Sequence, residues 1–173
     1  YAKRMGLPVK QLIVATNSND ILDRFFKSGN YDKHPVEATS SPSMDIGISS
    51  NFERYLFYLM GEDAKRLEAA MAGFKSTGKL HVTPAELERA RADFGSGCAN
   101  EKAVAETMRV YDQKFKYTLD PHTACGVYCV EASRAETRWD TTGSHRMVVL
   151  GTAHPAKFGD TVSQVLGRPP TMP

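Results

Sequence analysis

The stretch Arg146-Met-Val-Val-Leu-Gly-Thr-Ala-His-Pro-Ala-Lys-Phe158 constrains the fold more than any other part of the chain. Met147 to Leu150 is a short apolar run that suits a buried strand, and it stops abruptly at Gly151, Thr152, His154 and Pro155. A hydroxyl, an imidazole and a helix-starting proline thus gather where a strand is predicted to end. In an open α/β sheet, ligands bind in the crevice beyond the carboxyl ends of the strands. The plainer reading is a capped turn, with Thr152 as the cap and Pro155 in the first turn of the next helix.

Elsewhere the pattern alternates between strand and helix. Gln11-Leu-Ile-Val-Ala15 is a β-branched run, Thr16 to Asp20 is a polar turn, and Ile21 to Lys27 is a helix capped by Asn19 or Asp20 and ended by Gly29. Residues 30–42 read as an extended connection. A helical spacing of apolar residues runs through 52, 56, 59 and 60. Charged helical segments then cover 63–74, 85–92 and 101–115. Thr83, Pro84 and Glu86 form a capping box with proline at the first helical position. Lys79 to Val82 and Asp93 to Cys98 are short edge strands or loops. Asp120 caps a helix from Pro121 to Arg134, 134–144 is a polar linker, and Asp160 to Leu166 is a final helix. Two strands with polar carboxyl ends, at 11–15 and 146–150, suggest neighbours in one parallel sheet, so the fold class is α/β.

At 173 residues the chain can build a substantial core, and its net charge of +2 is too small and too dispersed to suggest nucleic acid. No run of 18 apolar residues suggests a membrane span. Cys98, Cys125 and Cys129 lack the partners of a metal site and read as buried reduced thiols, which suit a cytoplasmic protein. The opening Tyr1-Ala-Lys-Arg-Met-Gly-Leu-Pro8 reads as the end of a helix stopped at Gly6 and Pro8, so a piece of a longer protein is expected.

Gly151-Thr-Ala-His-Pro-Ala-Lys-Phe158 closely resembles the carboxyl-terminal signature of the threonine synthase family. Val14-Ala-Thr-Asn-Ser-Asn-Asp-Ile-Leu22, Ser41-Pro-Ser-Met-Asp-Ile46 with Ser49-Ser-Asn-Phe-Glu-Arg54, and Leu119-Asp-Pro-His-Thr-Ala124 with Gly126 resemble earlier segments of that family, in the same order. The resemblance implies the carboxyl-terminal portion of a fold-type II pyridoxal-phosphate enzyme: a partial parallel sheet with flanking helices and a helical insertion. Residues 1–43 and 117–173 would belong to the cofactor-binding α/β domain and 44–116 to the insertion. The implied reaction converts O-phosphohomoserine and water into threonine and phosphate.

Such an enzyme supplies a lysine for the cofactor, a phosphate cradle, a partner for the pyridine nitrogen and substrate contacts. The resemblance assigns Thr152 to the pyridine nitrogen, where a hydroxyl donates without fixing a positive charge. Asn17, Asn19 and Asp20 end the first strand as substrate-positioning or simply turn-making groups. Ser49, Ser50, Asn51 and Arg54 lead into a helix and form a candidate receptor for the substrate's phosphate, although an arginine there is commonly a surface residue. Asp120, His122 and His154 lie in loops that the resemblance places near the substrate, each with an ordinary structural alternative. Nothing here matches the family's Schiff-base lysine motif or its glycine-rich cradle, and Lys157 is not promoted to that role. The missing amino-terminal portion would then be a necessary partner. The alternatives are a non-catalytic fragment with an interacting sheet edge, or another fold-type II enzyme such as a threonine dehydratase. The Asp120-Pro-His-Thr-Ala124 block and the insertion argue against the latter.

Overall fold

The computed structural model describes residues 1–135 and 146–173. In chain order it contains β1 (Leu12–Thr16), α1 (Ile21–Ser28), β2 (Asn30–Asp32), a 3-10 turn (Pro42–Met44), α2 (Phe52–Leu59), α3 (Ala64–Thr77), β3 (Lys79–His81) and α4 (Pro84–Asp93). These are followed by β4 (Phe94–Cys98), α5 (Glu101–Phe115), α6 (Pro121–Ala135), a 3-10 turn (Pro155–Phe158) and α7 (Gly159–Leu166). β1 pairs with β4 in a small parallel sheet, and β2 pairs antiparallel with β3, with Tyr31 opposite Leu80. No helix among the described residues is long and apolar enough to cross a membrane.

The chain forms two compact units. The first comprises 1–14, 20–35 and 46–96; the second comprises 15–19, 36–45 and 97–173. The first unit is built around aromatic rings. Ile21 and Phe25 are four residues apart on α1, which places them one turn apart on the same helix face. There they are buried with Phe26. Phe25 lies 4.7 Å from Phe52, edge to face, and Tyr31 stacks on Phe52 at 4.7 Å. Side chains of this size stabilise a fold by about 1.5–3 kcal/mol each on burial. α1 ends at Gly29, whose φ of +81° lets its N–H reach the Phe25 carbonyl. A β-carbon there would stand 3.1 Å from Leu87, so both conformation and packing ask for glycine.

α4 opens with the expected box. The Thr83 hydroxyl accepts from the Glu86 N–H, and the Glu86 carboxylate accepts from the Thr83 N–H at 2.8 Å. Arg66 adds an ion pair at 2.6 Å. Burial works against the charged Glu86, but the Thr83 bonds and the Arg66 charge outweigh it and hold the carboxyl below its usual range.

The second unit has an aliphatic core of Val104, Met108, Leu119, Ala124, Cys125, Val127 and Val162. Here α6 comes unusually close to β4: a β-carbon on Gly97 would lie 2.9 Å from the Cys129 sulfur.

Two expectations are overturned. Residues 146–150 form no strand; Val148 is 80% exposed and Leu150 76% exposed. An apolar run becomes a buried strand only when a ladder partner is beside it, and β1, its expected neighbour, pairs with β4 instead. The opening residues form a turn over 2–6 in place of a helix end, although Gly6 does take a positive φ. The linker expected over 134–144 falls, from 136 on, outside the described residues.

Candidate functional site

At the carboxyl end of β1, Asn17 is fully buried and surrounded by hydrogen-bond partners. Its amide nitrogen donates to Asp45 Oδ1 at 2.7 Å, Thr39 Oγ1 at 2.8 Å and Ser41 Oγ at 3.0 Å. Its amide oxygen accepts from the Asn19 N–H at 2.9 Å and from the Asn19 side chain at 3.1 Å. Asn19 also reaches Asp45 Oδ1 at 3.0 Å and exchanges bonds with the Glu37 backbone. Asp45 is the hub. Besides the two amides it accepts from the Thr39 hydroxyl at 2.6 Å and the Thr39 N–H at 2.8 Å. The Asn17 and Asn19 side chains are therefore spent on holding the 36–45 loop. A half-buried carboxylate with this many donors is satisfied by them and becomes a rigid anchor.

A second cluster starts the helix α6. Asp120 Oδ1 accepts from the N–H of His122 at 2.9 Å and of Thr123 at 3.3 Å, which is the expected cap. The same oxygen lies 3.0 Å from His122 Nδ1, while His122 Nε2 accepts the Ser43 N–H at 3.2 Å. An imidazole nitrogen that accepts carries no proton, so His122 holds its proton on Nδ1, toward Asp120. Both ring nitrogens are occupied, and the ring leans on Phe158 at 4.5 Å. The Ser43 bond and a contact of Ser41 with Cys125 at 3.9 Å join the 36–45 loop to α6. Burial pushes the Cys125 thiol up to about 11, against the bond from Ser41, so it is protonated and unreactive at neutral pH.

Thr123 links this cluster to the signature loop. Its hydroxyl donates to Asp120 Oδ2, its oxygen accepts the Thr152 N–H at 3.1 Å, and the two threonine hydroxyls are 3.3 Å apart. Thr152 itself is exposed. The cap of the following 3-10 turn is His154, whose Nδ1 accepts the Ala156 N–H at 3.2 Å. Thr152 is thus released from the capping role that a simple reading of the turn would give it.

Asn17, Asn19, Asp120, His122, Thr152 and His154 belong to the second unit, whereas Asp20, Ser49, Ser50, Asn51 and Arg54 belong to the first. Asp20 pairs with Arg24 at 2.8 Å. Ser49 exchanges bonds with the Tyr31 hydroxyl. Arg54 is exposed and donates to Asn51 Oδ1. With Ser50, Glu53, Phe57 and Tyr58 it lines an open cavity of about 420 Å³. Sequence reasoning missed Asp45, Thr39 and Thr123. Asp45 and Thr123 stand inside conspicuous blocks, but their roles depend on partners 28 and 29 residues away.

Residues 123–173 match the family model described as "Threonine synthase, C-terminal". The whole chain is similar to the threonine synthase of Pseudomonas aeruginosa, with 43% identity over 99% of this chain and 36% of that protein. It is 44% identical to the Saccharomyces cerevisiae threonine synthase over 96% of this chain and 34% of the relative. Among solved structures, the pyridoxal-phosphate-bound threonine synthase of Brucella melitensis superposes with a TM-score of 0.91 at 45% identity, over 99% of this chain and 36% of that one. The chain spans about a third of the length of these relatives.

Proposed function

We propose, from the homology of this chain to the carboxyl-terminal part of the threonine synthases, that it serves a pyridoxal-phosphate enzyme converting O-phosphohomoserine and water into threonine and phosphate. Its share of that enzyme is the seat of the cofactor's pyridine nitrogen and part of the substrate wall. The other two thirds of such an enzyme are its necessary partner, and a cytoplasmic location suits cysteines that form no disulfide among the described residues.

The observation that carries this reading is the exposed hydroxyl of Thr152, resting on a threonine whose own proton is committed to a carboxylate. The donor set fits a neutral ring nitrogen. Thr152 Oγ1 is a neutral donor, and among the described residues its hydrogen-bond neighbour is Thr123, not a carboxylate. When bound, the cofactor supplies an electron sink for proton removal from the substrate. Thr152 is the residue that would donate to the ring nitrogen and hold it without adding charge. Asp120 and His122 keep α6 and the 36–45 loop in register; with both ring nitrogens engaged, His122 is a brace and not a proton shuttle. Asn17 and Asn19 fix the same loop from the β1 side. Arg54, with Ser49, Ser50 and Asn51, is the group we assign to the substrate phosphate; Arg54 donates to Asn51 Oδ1 and lines the open cavity with Ser50.

The test is Thr152→Ala in the complete enzyme containing this chain. Loss of one neutral hydrogen bond to the reacting system should lower kcat about 2- to 12-fold. KM should stay close to its parent value and the cofactor should remain bound. An unchanged kcat would reject the assignment.

A further inference from the structure

We propose that Thr123 is the positioning residue that seats Thr152 for the cofactor, and that Asp120 fixes the direction in which it does so. The inference rests on the reading of Thr152 as the ring-nitrogen partner and identifies what makes that residue competent.

A hydroxyl has one proton. Thr123 gives its proton to Asp120 Oδ2, so toward Thr152 it offers only lone pairs. Thr152 uses them twice, with its N–H at 3.1 Å and its hydroxyl at 3.3 Å. The Thr152 proton thus has two places to go: back to Thr123 when the ring is absent, or outward to an accepting nitrogen when it is present. In the second state the N–H bond still holds the residue. Asp120 cannot turn away, because its other oxygen is engaged by two α6 amides and His122.

The need for such a seat is visible in the local backbone. Residues 151–153 lie in neither helix nor strand, and Thr152 is exposed. α6 ties this segment down at two points, one turn apart. At Thr123 it holds Thr152, and at Gly126 it admits Val149 so closely that a β-carbon would stand 3.1 Å from Val149 Cγ1. Positions 123 and 126 share a helix face, so one face of α6 carries the whole loop.

The experiment uses the complete enzyme reconstituted with cofactor labelled with nitrogen-15 in its ring. The ring-nitrogen resonance is read beside kcat, KM and melting temperature. Thr123→Val keeps the volume and removes the acceptor; it should move the resonance in the same direction as Thr152→Ala. It should also lower kcat by about 2- to 12-fold, the worth of one net hydrogen bond, with KM little changed. Thr123→Ser should restore both. If Thr123→Val does not fold, Thr123→Cys, a weak acceptor, is read by the same criteria. A parent-like resonance in Thr123→Val while Thr152→Ala moves would overturn the role of Thr123 and leave that of Thr152 intact. An unmoved resonance in Thr152→Ala would overturn the ring-nitrogen reading and this inference together.

Discussion

The two units bury their interiors by different means. The first packs aromatic side chains edge to face and in stacks, through Phe25, Phe26, Tyr31, Phe52 and Phe74. The second has a core of valine, methionine, alanine and cysteine, and beside it a chain of polar bonds running from Asn19 through Asn17 and the 36–45 loop to His122, Asp120, Thr123 and Thr152. Apolar burial is non-directional and tolerates substitutions of similar volume. A polar network demands donors and acceptors in set directions, and a half-satisfied one is worse than none. The unit that carries Thr152 is the one built on direction.

The comparison can be broken in three ways, from the largest expected effect to the smallest. Phe25→Ala should cost the first unit about 3–5 kcal/mol, as truncation of a fully buried ring does. Peptide-resolved hydrogen exchange should show the loss in 20–35 and 46–96. Equal loss in 97–135 would mean that the units unfold as one. Asn17→Ala removes one side chain but strands the donors and acceptors of Asp45, Thr39 and Ser41, at about 1–3 kcal/mol. Its exchange signature should spread along 36–45 and into the start of α6. A change confined to residues 15–19 would show that the bonds act singly and that the network is no unit.

The smallest effect at neutral pH is a pair of opposite pH limits. Glu86 is held below its usual range in the folded chain, so its stabilisation is present above the normal glutamate pKa and is lost as pH falls through the lower, folded value. Glu86→Gln should flatten the acid limb of the first unit. Cys125 is pushed up to about 11, so the unfolded chain ionises first and the second unit weakens as pH climbs from the ordinary thiol range toward that value. Cys125→Ala should flatten the alkaline limb. Urea midpoints across pH, read with exchange in each unit, check both; a limb unchanged by its substitution would dissociate that residue from it.

Local chemistry made much of this architecture legible. The Thr83–Glu86 box, the Gly29 stop and the Asp120 cap are written within four residues of the groups they bond, and each is found where it was expected. The resemblance of the ordered blocks pointed to the same proteins to which the whole chain is similar. The pairing of β2 with β3 was not legible, because Tyr31 and Leu80 meet across a sequence separation of 49, with no turn signal joining them. The run 147–150 misled because hydrophobicity states what a segment would bury, not what lies beside it. Asn17 read as one polar turn residue among several; only the folded chain distinguishes the fully buried amide from its neighbours.

The scattered origin of the second unit also sets the order in which it can assemble. Its bonds join residues far apart in sequence, with separations of 81 for Thr16 to Gly97 and 79 for Ser43 to His122. Closing long loops consumes chain entropy before the contacts repay it. During synthesis the first unit's last residue, Ser96, emerges well before Thr152, so aromatic packing can be complete while Ser41 and Ser43 still await Cys125 and His122. The bonds that reach Thr152 then close after the aromatic core, and a chain interrupted before residue 120 would leave Ser41 and Ser43 without their partners on α6.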